Sequence, residues 1–200
     1  MRIGLLGPLE VRDGDNLAGV VDVSGVRLRA LLIRLAVDAP RPVSASALID
    51  ALWDDDPPAD AANALQSLVS RLRRALGDAD QVLQAPGGYR LNVARDDVDV
   101  HRFADLARSG RGQLRAGDPK AAATTLRQAL ALWRGPMPET WGTTTDATSF
   151  QVRLQDQRLD ALGDALDAEL ELGRHVDVAA ELDELVAQFP LREHFAGLLM

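Results

Sequence analysis

The apolar rhythm of the sequence changes near residue 95, and that change limits the folds open to the chain. Before it, short apolar stretches alternate with helical ones. After it, every periodic segment is helical. Residues 2–23 carry Ile3-Gly4-Leu5-Leu6, Leu9-Glu10-Val11 and Val20-Val21-Asp22-Val23, separated by Gly7-Pro8 and Asp13-Gly14-Asp15-Asn16. This spacing predicts three or four short antiparallel strands. From Val26 the period lengthens: Leu28, Leu31, Leu32 and Leu35 share one helical face, and Pro40 and Pro42 end the run. Ser44 is placed to cap a second helix ending at Trp53. A third is expected over 58–76, with Pro58 in its first turn and Gly77 at its end. Val82-Leu83-Gln84 and Tyr89-Arg90-Leu91-Asn92-Val93, joined by Pro86-Gly87-Gly88, form a hairpin signal. Strands, three helices and a terminal hairpin within about 95 residues define a winged helix-turn-helix.

Residues 96–200 read as helices over 98–116, 118–133, 149–172, 176–188 and 191 onward, with a loop over 135–148. Gly117 is followed by Ala122, Leu126 and Ala129, and Gly173 by Val178, Leu182 and Leu185 at the same offsets. Small or apolar residues at fixed offsets after a turn glycine are the mark of stacked helix pairs of tetratricopeptide type. The expected fold is mainly α with a little β: a winged helix over 1–95 and an all-α helical bundle over 96–200. The end, Phe195-Ala196-Gly197-Leu198-Leu199-Met200, lacks a helix stop signal, which points to a natural polypeptide that continues.

The third helix carries the most chemistry. Leu65, Leu68, Val69, Leu72 and Leu76 fall within roughly 100° of arc. Asn63, Gln66, Ser67, Ser70, Arg71, Arg73 and Arg74 occupy a separate arc of roughly 160°. That outer arc holds three arginines and no acid, although the 200-residue chain has 22 basic and 30 acidic residues and a net charge of −8. Exposed helix faces usually mix signs. Arginines, amides and hydroxyls on one face are the donors that read base edges and phosphates in a major groove. A merely solvated face is the competing reading, with arginine stems covering apolar surface. The place of this helix before a hairpin favours double-stranded DNA. Arg90, just past the bend of the hairpin, is a further candidate for the DNA backbone or minor groove. Trp53 and Tyr89 read as core.

These residues carry a family resemblance. Leu5-Leu6-Gly7-Pro8-Leu9-Glu10-Val11, Leu48-Ile49-Asp50-Ala51-Leu52-Trp53, the run from Leu65 to Gly77 and Pro86-Gly87-Gly88-Tyr89-Arg90-Leu91 resemble the SARP/AfsR family of actinobacterial transcriptional activators. So do Val98-Asp99-Val100-His101-Arg102-Phe103, Ala129–Gly135, Leu172-Gly173-Arg174-His175 and Pro190-Leu191-Arg192-Glu193. The resemblance implies an OmpR-type winged helix and a tetratricopeptide-like bacterial transcriptional activation domain. It implies binding to direct repeats upstream of promoters, with copies side by side, and contact with RNA polymerase. It points to Arg71 and Arg73 of the Arg-Leu-Arg motif and to Arg90 as DNA contacts. It assigns the loop Asp54-Asp55-Asp56-Pro57 to polymerase. Family members usually continue beyond the Leu-Leu-Met at which this chain stops.

Other chemistries find no support in the sequence. There is no cysteine, and His101, His175 and His194 lie far apart, so no zinc spacing exists. Asp54-Asp55-Asp56 lacks the glycine and distal glutamate of a calcium loop. No phosphate-binding Gly-x-x-x-x-Gly-Lys motif and no Gly-x-Ser-x-Gly elbow occurs. No enzyme activity, metal or cofactor is expected. With no signal peptide or membrane span, a cytoplasmic location is. A protein-interaction scaffold, whose winged helix binds protein, is the rival reading. The acid is unevenly spread: residues 1–95 hold 11 basic and 12 acidic side chains, residues 96–200 hold 11 and 18. The net charge therefore does not argue against DNA as a partner of the first half.

Overall fold

The computed structural model describes residues 1–12, 19–136 and 145–199. They divide into two compact units, one of residues 1–102 with 133–153, the other of 103–132 with 154–200.

In the first unit, β1 (Arg2–Gly4) pairs antiparallel with β2 (Glu10–Arg12), placing Ile3 opposite Val11. Both side chains are buried, as the alternation predicts. Beyond β2 only an isolated bridge, Arg12 to Val20, is described. Among the described residues of this segment, two strands stand where three or four were expected, and Val20 adds one bridge. Residues 13–18 lie outside the described part.

Helix α1 (Val26–Asp38) buries Leu28, Leu31, Leu32, Ile33, Leu35 and Ala36. It ends two residues before Pro40, whose ring disfavours helical geometry in the residue before it. A two-residue strand, β3 (Val43–Ser44), leads directly into α2 (Ala45–Trp53). Ser44 caps α2 as expected: its hydroxyl accepts from the Ala47 amide at 3.2 Å. Helix α3 (Ala61–Ala75) begins three residues later than Pro58. The cap is Asp60, whose carboxylate accepts from the Asn63 amide at 3.0 Å. An aspartate cap satisfies an orphan donor that a proline in the first turn would only avoid presenting. The hairpin of β4 (Val82–Ala85) and β5 (Gly88–Leu91) follows, with β3 added on the far edge of β5.

The unit does not end with the hairpin. Asp99, at the start of helix α4 (Asp99–Arg115), accepts from the backbone amides of Leu5 at 2.7 Å and Leu6 at 3.0 Å. The Arg134 backbone amide donates to Leu6 O, and its guanidinium reaches Pro8 O and Glu10. A pair of donors on one carboxylate replaces the strand partner that Leu5 and Leu6 lack.

The second unit takes in α4 from residue 103, α5 (Pro119–Leu130), α6 (Thr145–Glu171) from residue 154, α7 (His175–Gln188) and α8 (Glu193–Leu198). The turns fall at the two marked glycines, with φ of 76° at Gly117 and 80° at Gly173. All six residues at the repeat offsets are buried: Ala122, Leu126 and Ala129 on α5, Val178, Leu182 and Leu185 on α7. The helix expected through residue 133 stops at Leu130, because Trp133 and Arg134 belong to the first unit. The architecture is the expected one, a winged helix-turn-helix followed by a helical bundle. No helix among the described residues is long and apolar enough to cross a membrane.

Candidate nucleic-acid interface

Helix α3 divides along its length as the sequence predicts. Leu65, Leu68, Val69 and Leu72 are buried against α1 and α2, with Leu76 just past the helix end. Asn63, Gln66, Ser67, Ser70, Arg71 and Arg74 are exposed. The nearby acids are occupied locally. Asp60 caps α3, and Asp78 accepts from the Asp80 amide and the Gln81 side chain. The outer face thus presents donors with no carboxylate among them. Ser70 spends its proton inside the helix, donating to Gln66 O at 2.9 Å, so its oxygen faces outward as an acceptor.

Arg73 differs from its neighbours. It is half-buried, and its Nε and Nη2 both donate to the Val82 carbonyl, at 2.9 and 2.8 Å. One guanidinium thus fastens α3 to the first residue of the hairpin. A helical wheel places Arg73 on the polar arc but cannot show a carbonyl nine residues ahead. The structure therefore groups Arg71 and Arg74 with the exposed donors and gives Arg73 a bracing partner.

The hairpin follows the same logic. Gly87 turns with φ of 77°. Gly88 is buried under β3: a Cβ there would stand 1.9 Å from Val43 O. Arg90 lies half-buried on β5, paired in register with Leu83. It occupies the strand, some way from the tip at Gly87.

Trp53 and Tyr89 are half-buried, where the sequence placed them in the core. The Arg27 guanidinium lies 5.8 Å from the centre of the Trp53 ring. Arg27, Trp53 and Pro58 line a groove of about 520 Å³ that continues onto Ser67 and Arg71 of α3. Sequence reasoning passed over Arg27. Its only sequence signal is that it falls off the apolar stripe in the first turn of α1. The loop Asp54–Pro57 is exposed, and Asp54 holds φ of 50°.

Comparison with known proteins places the chain in a family. The family model described as Transcriptional regulatory protein, C terminal, matches residues 25–91. The one described as Bacterial transcriptional activator domain matches residues 98–200. The Transcriptional regulator RedD of Streptomyces coelicolor is 35% identical over the whole chain, which spans 58% of that protein. The Regulatory protein DnrI of Streptomyces peucetius is 33% identical, again over the whole chain and over 76% of its own length. Among solved structures, Mycobacterium tuberculosis EmbR in complex with a low-affinity phosphopeptide superposes with a TM-score of 0.90 at 33% identity. That match covers 99% of this chain and 53% of the EmbR chain. Both halves of the chain thus match domains of transcriptional regulators, and the chain belongs to the SARP/AfsR family of transcriptional activators.

Proposed function

We propose that the chain activates transcription by binding double-stranded DNA through α3 in the major groove. The observation that carries this reading is the acid-free, exposed donor face of α3 in a chain of net charge −8. Asn63, Gln66, Ser67 and Ser70 read base edges, while Arg71 and Arg74 bind phosphates or a guanine edge. Arg73 braces the hairpin that carries Arg90 and presents its remaining donors to the backbone. Residues 1–95 act as the DNA reader. Residues 96–200 act as the activation half. The exposed acidic loop Asp54–Pro57 meets RNA polymerase.

The near balance of charge in residues 1–95 supports weak non-specific binding. Occupancy therefore depends on a second copy on an adjacent direct repeat, or on polymerase. The protein works in the cytoplasm, without cofactor, metal or enzymatic step.

Selection from random duplexes followed by footprinting tests the reading. A repeated motif protected over two adjacent sites is expected. Arg71→Ala should weaken binding about 10-fold or more and flatten the dependence on salt by about one ion. No retardation of any duplex at low salt would overturn the reading and favour a protein-interaction scaffold.

A further inference from the structure

Arg27, in the first turn of α1, is an exposed cation that the fold leaves without a carboxylate. Its guanidinium lies 5.8 Å from the centre of the Trp53 ring at the end of α2, and among the described residues that ring is its one side-chain partner. Attraction to a ring face holds a guanidinium in place without neutralising its charge. Arg27 of α1 and Arg71 of α3 both line the groove of about 520 Å³ described above. The Arg71 side chain likewise makes no ion pair or hydrogen bond among the described residues. None of the described residues lining the groove is acidic. Of the acids that flank these segments in the chain, Asp22 accepts from the Ser24 hydroxyl and Asp60 caps α3. Asp50, Asp54, Asp55 and Asp56 are exposed and pair with neither arginine.

Ser67 and Arg71 belong both to this groove and to the outer face of α3. The groove therefore continues that face sideways, toward α1. A helix laid in a major groove is bordered by a sugar-phosphate strand on each flank. A cation beside the helix meets phosphates rather than base edges. We propose that Arg27 anchors the DNA backbone strand that borders α3 on the α1 side, with Trp53 as the residue that positions it. Val26 and Pro58, exposed on the same groove, offer apolar surface to the deoxyribose rings. The contact is independent of sequence, and it fixes the register and depth of α3 instead of reading bases. It adds a cation from a second helix in a half of the chain that holds 11 basic and 12 acidic residues. The inference rests on the reading of α3 given above.

Binding is measured on the full chain over a range of salt concentrations with two duplexes, one recovered by selection and one of mixed sequence. Arg27→Ala should weaken binding to both duplexes by the same factor, about 3- to 10-fold, and flatten the dependence on salt by about one ion. Arg27→Gln keeps part of the stem that covers Trp53 and removes the charge, so it should lose as much. Its circular dichroism melting curve should match that of the parent. Arg27→Lys, which retains the charge, should keep the salt slope. Ethylation of backbone phosphates should reveal one or two positions beside the α3 footprint that hinder the parent and no longer hinder Arg27→Ala. Parental affinity and salt slope in both Arg27→Ala and Arg27→Gln, with Arg71→Ala weakened, would overturn the proposal and leave the reading of α3 standing. So would a loss confined to the selected duplex at an unchanged salt slope. No retardation of any duplex by the parent chain is the separate result that would overturn the reading of α3 and this contact with it.

Discussion

Gly88 has no room for a side chain. A methyl group there would push on Val43 O and on the Ser44 Cα, both backbone atoms of β3, which cannot swing aside. Gly88→Ala should therefore cost about 1–3 kcal/mol in urea unfolding through loss of the β3–β5 pairing. Gly87, open on all sides but held at φ of 77°, should lose only about 1 kcal/mol as alanine, the cost of a left-handed backbone. Asp54 presents the opposite case. It is not a glycine, yet it holds φ of 50° and ψ of −124° at the end of α2. Such strain costs on the order of 1–3 kcal/mol, so Asp54→Gly should raise the thermal midpoint. The bend of the hairpin was legible in Pro86-Gly87-Gly88, but the reason for Gly88 was not. It depends on a strand of two residues, too short to show any alternation. The bond from Arg73 to the Val82 carbonyl was hidden for a similar reason. Arg73→Ala should loosen the hairpin and lower stability, whereas Arg71→Ala should leave stability unchanged. Paired melting curves of the two variants separate bracing from exposed donation.

In the bundle, one side chain links three helices. Arg127 of α5 donates from Nε and Nη2 to both oxygens of Glu169 on α6, at 2.9 and 2.8 Å. It also reaches both oxygens of Glu181 on α7, at 3.1 and 2.7 Å. Hydrogen bonds from Arg127 hold the Glu169 carboxyl below the usual carboxylate range, against the burial that opposes ionisation. A lowered folded-state pKa stabilises the fold fully above the ordinary glutamate value, and that contribution is lost as pH falls through the lowered one. Acid should therefore loosen the α5–α6–α7 packing, and Glu169→Gln should remove part of that acid sensitivity. Urea midpoints of the two proteins at neutral pH and at about pH 3 check this. Equal losses of stability between the two pH values would refute it. The repeat glycines and the buried offsets of α5 and α7 were readable because they recur at a fixed spacing. The Arg127 network was not, since a charge on an amphipathic helix reads as solvated until its partners 42 and 54 residues away are known.

At the scale of the molecule, the change of period near residue 95 marks where helices take over, while the packing of the first unit runs further. Val98 and Val100 are buried, and residue 98 bridges to Ile3 of β1. Asp99 holds two backbone amides of the N-terminal segment. Burial raises its carboxyl above the usual aspartate value, while the Leu6 and Leu5 amides and Arg134 pull it down. The donors thus offset part, not all, of the cost of burying the carboxylate. A period analysis could not find this, because Asp99 looks like an ordinary acidic residue in a first helical turn. The consequence is measurable. A chain ended after Arg95 loses Val98, Asp99 and Val100 together. A chain ended after Arg102 keeps all three and lacks only Arg134 of the same cluster. Each orphaned amide costs about 1–3 kcal/mol. Each buried valine side chain contributes about 1.5–3 kcal/mol. The shorter chain should therefore be less stable by several kcal/mol, a large part of what a domain of this size has. Urea unfolding of the two chains should show a clearly lower midpoint for the shorter one. Equal midpoints would mean that the winged helix is complete at residue 95 and that Asp99 serves only the helix it begins.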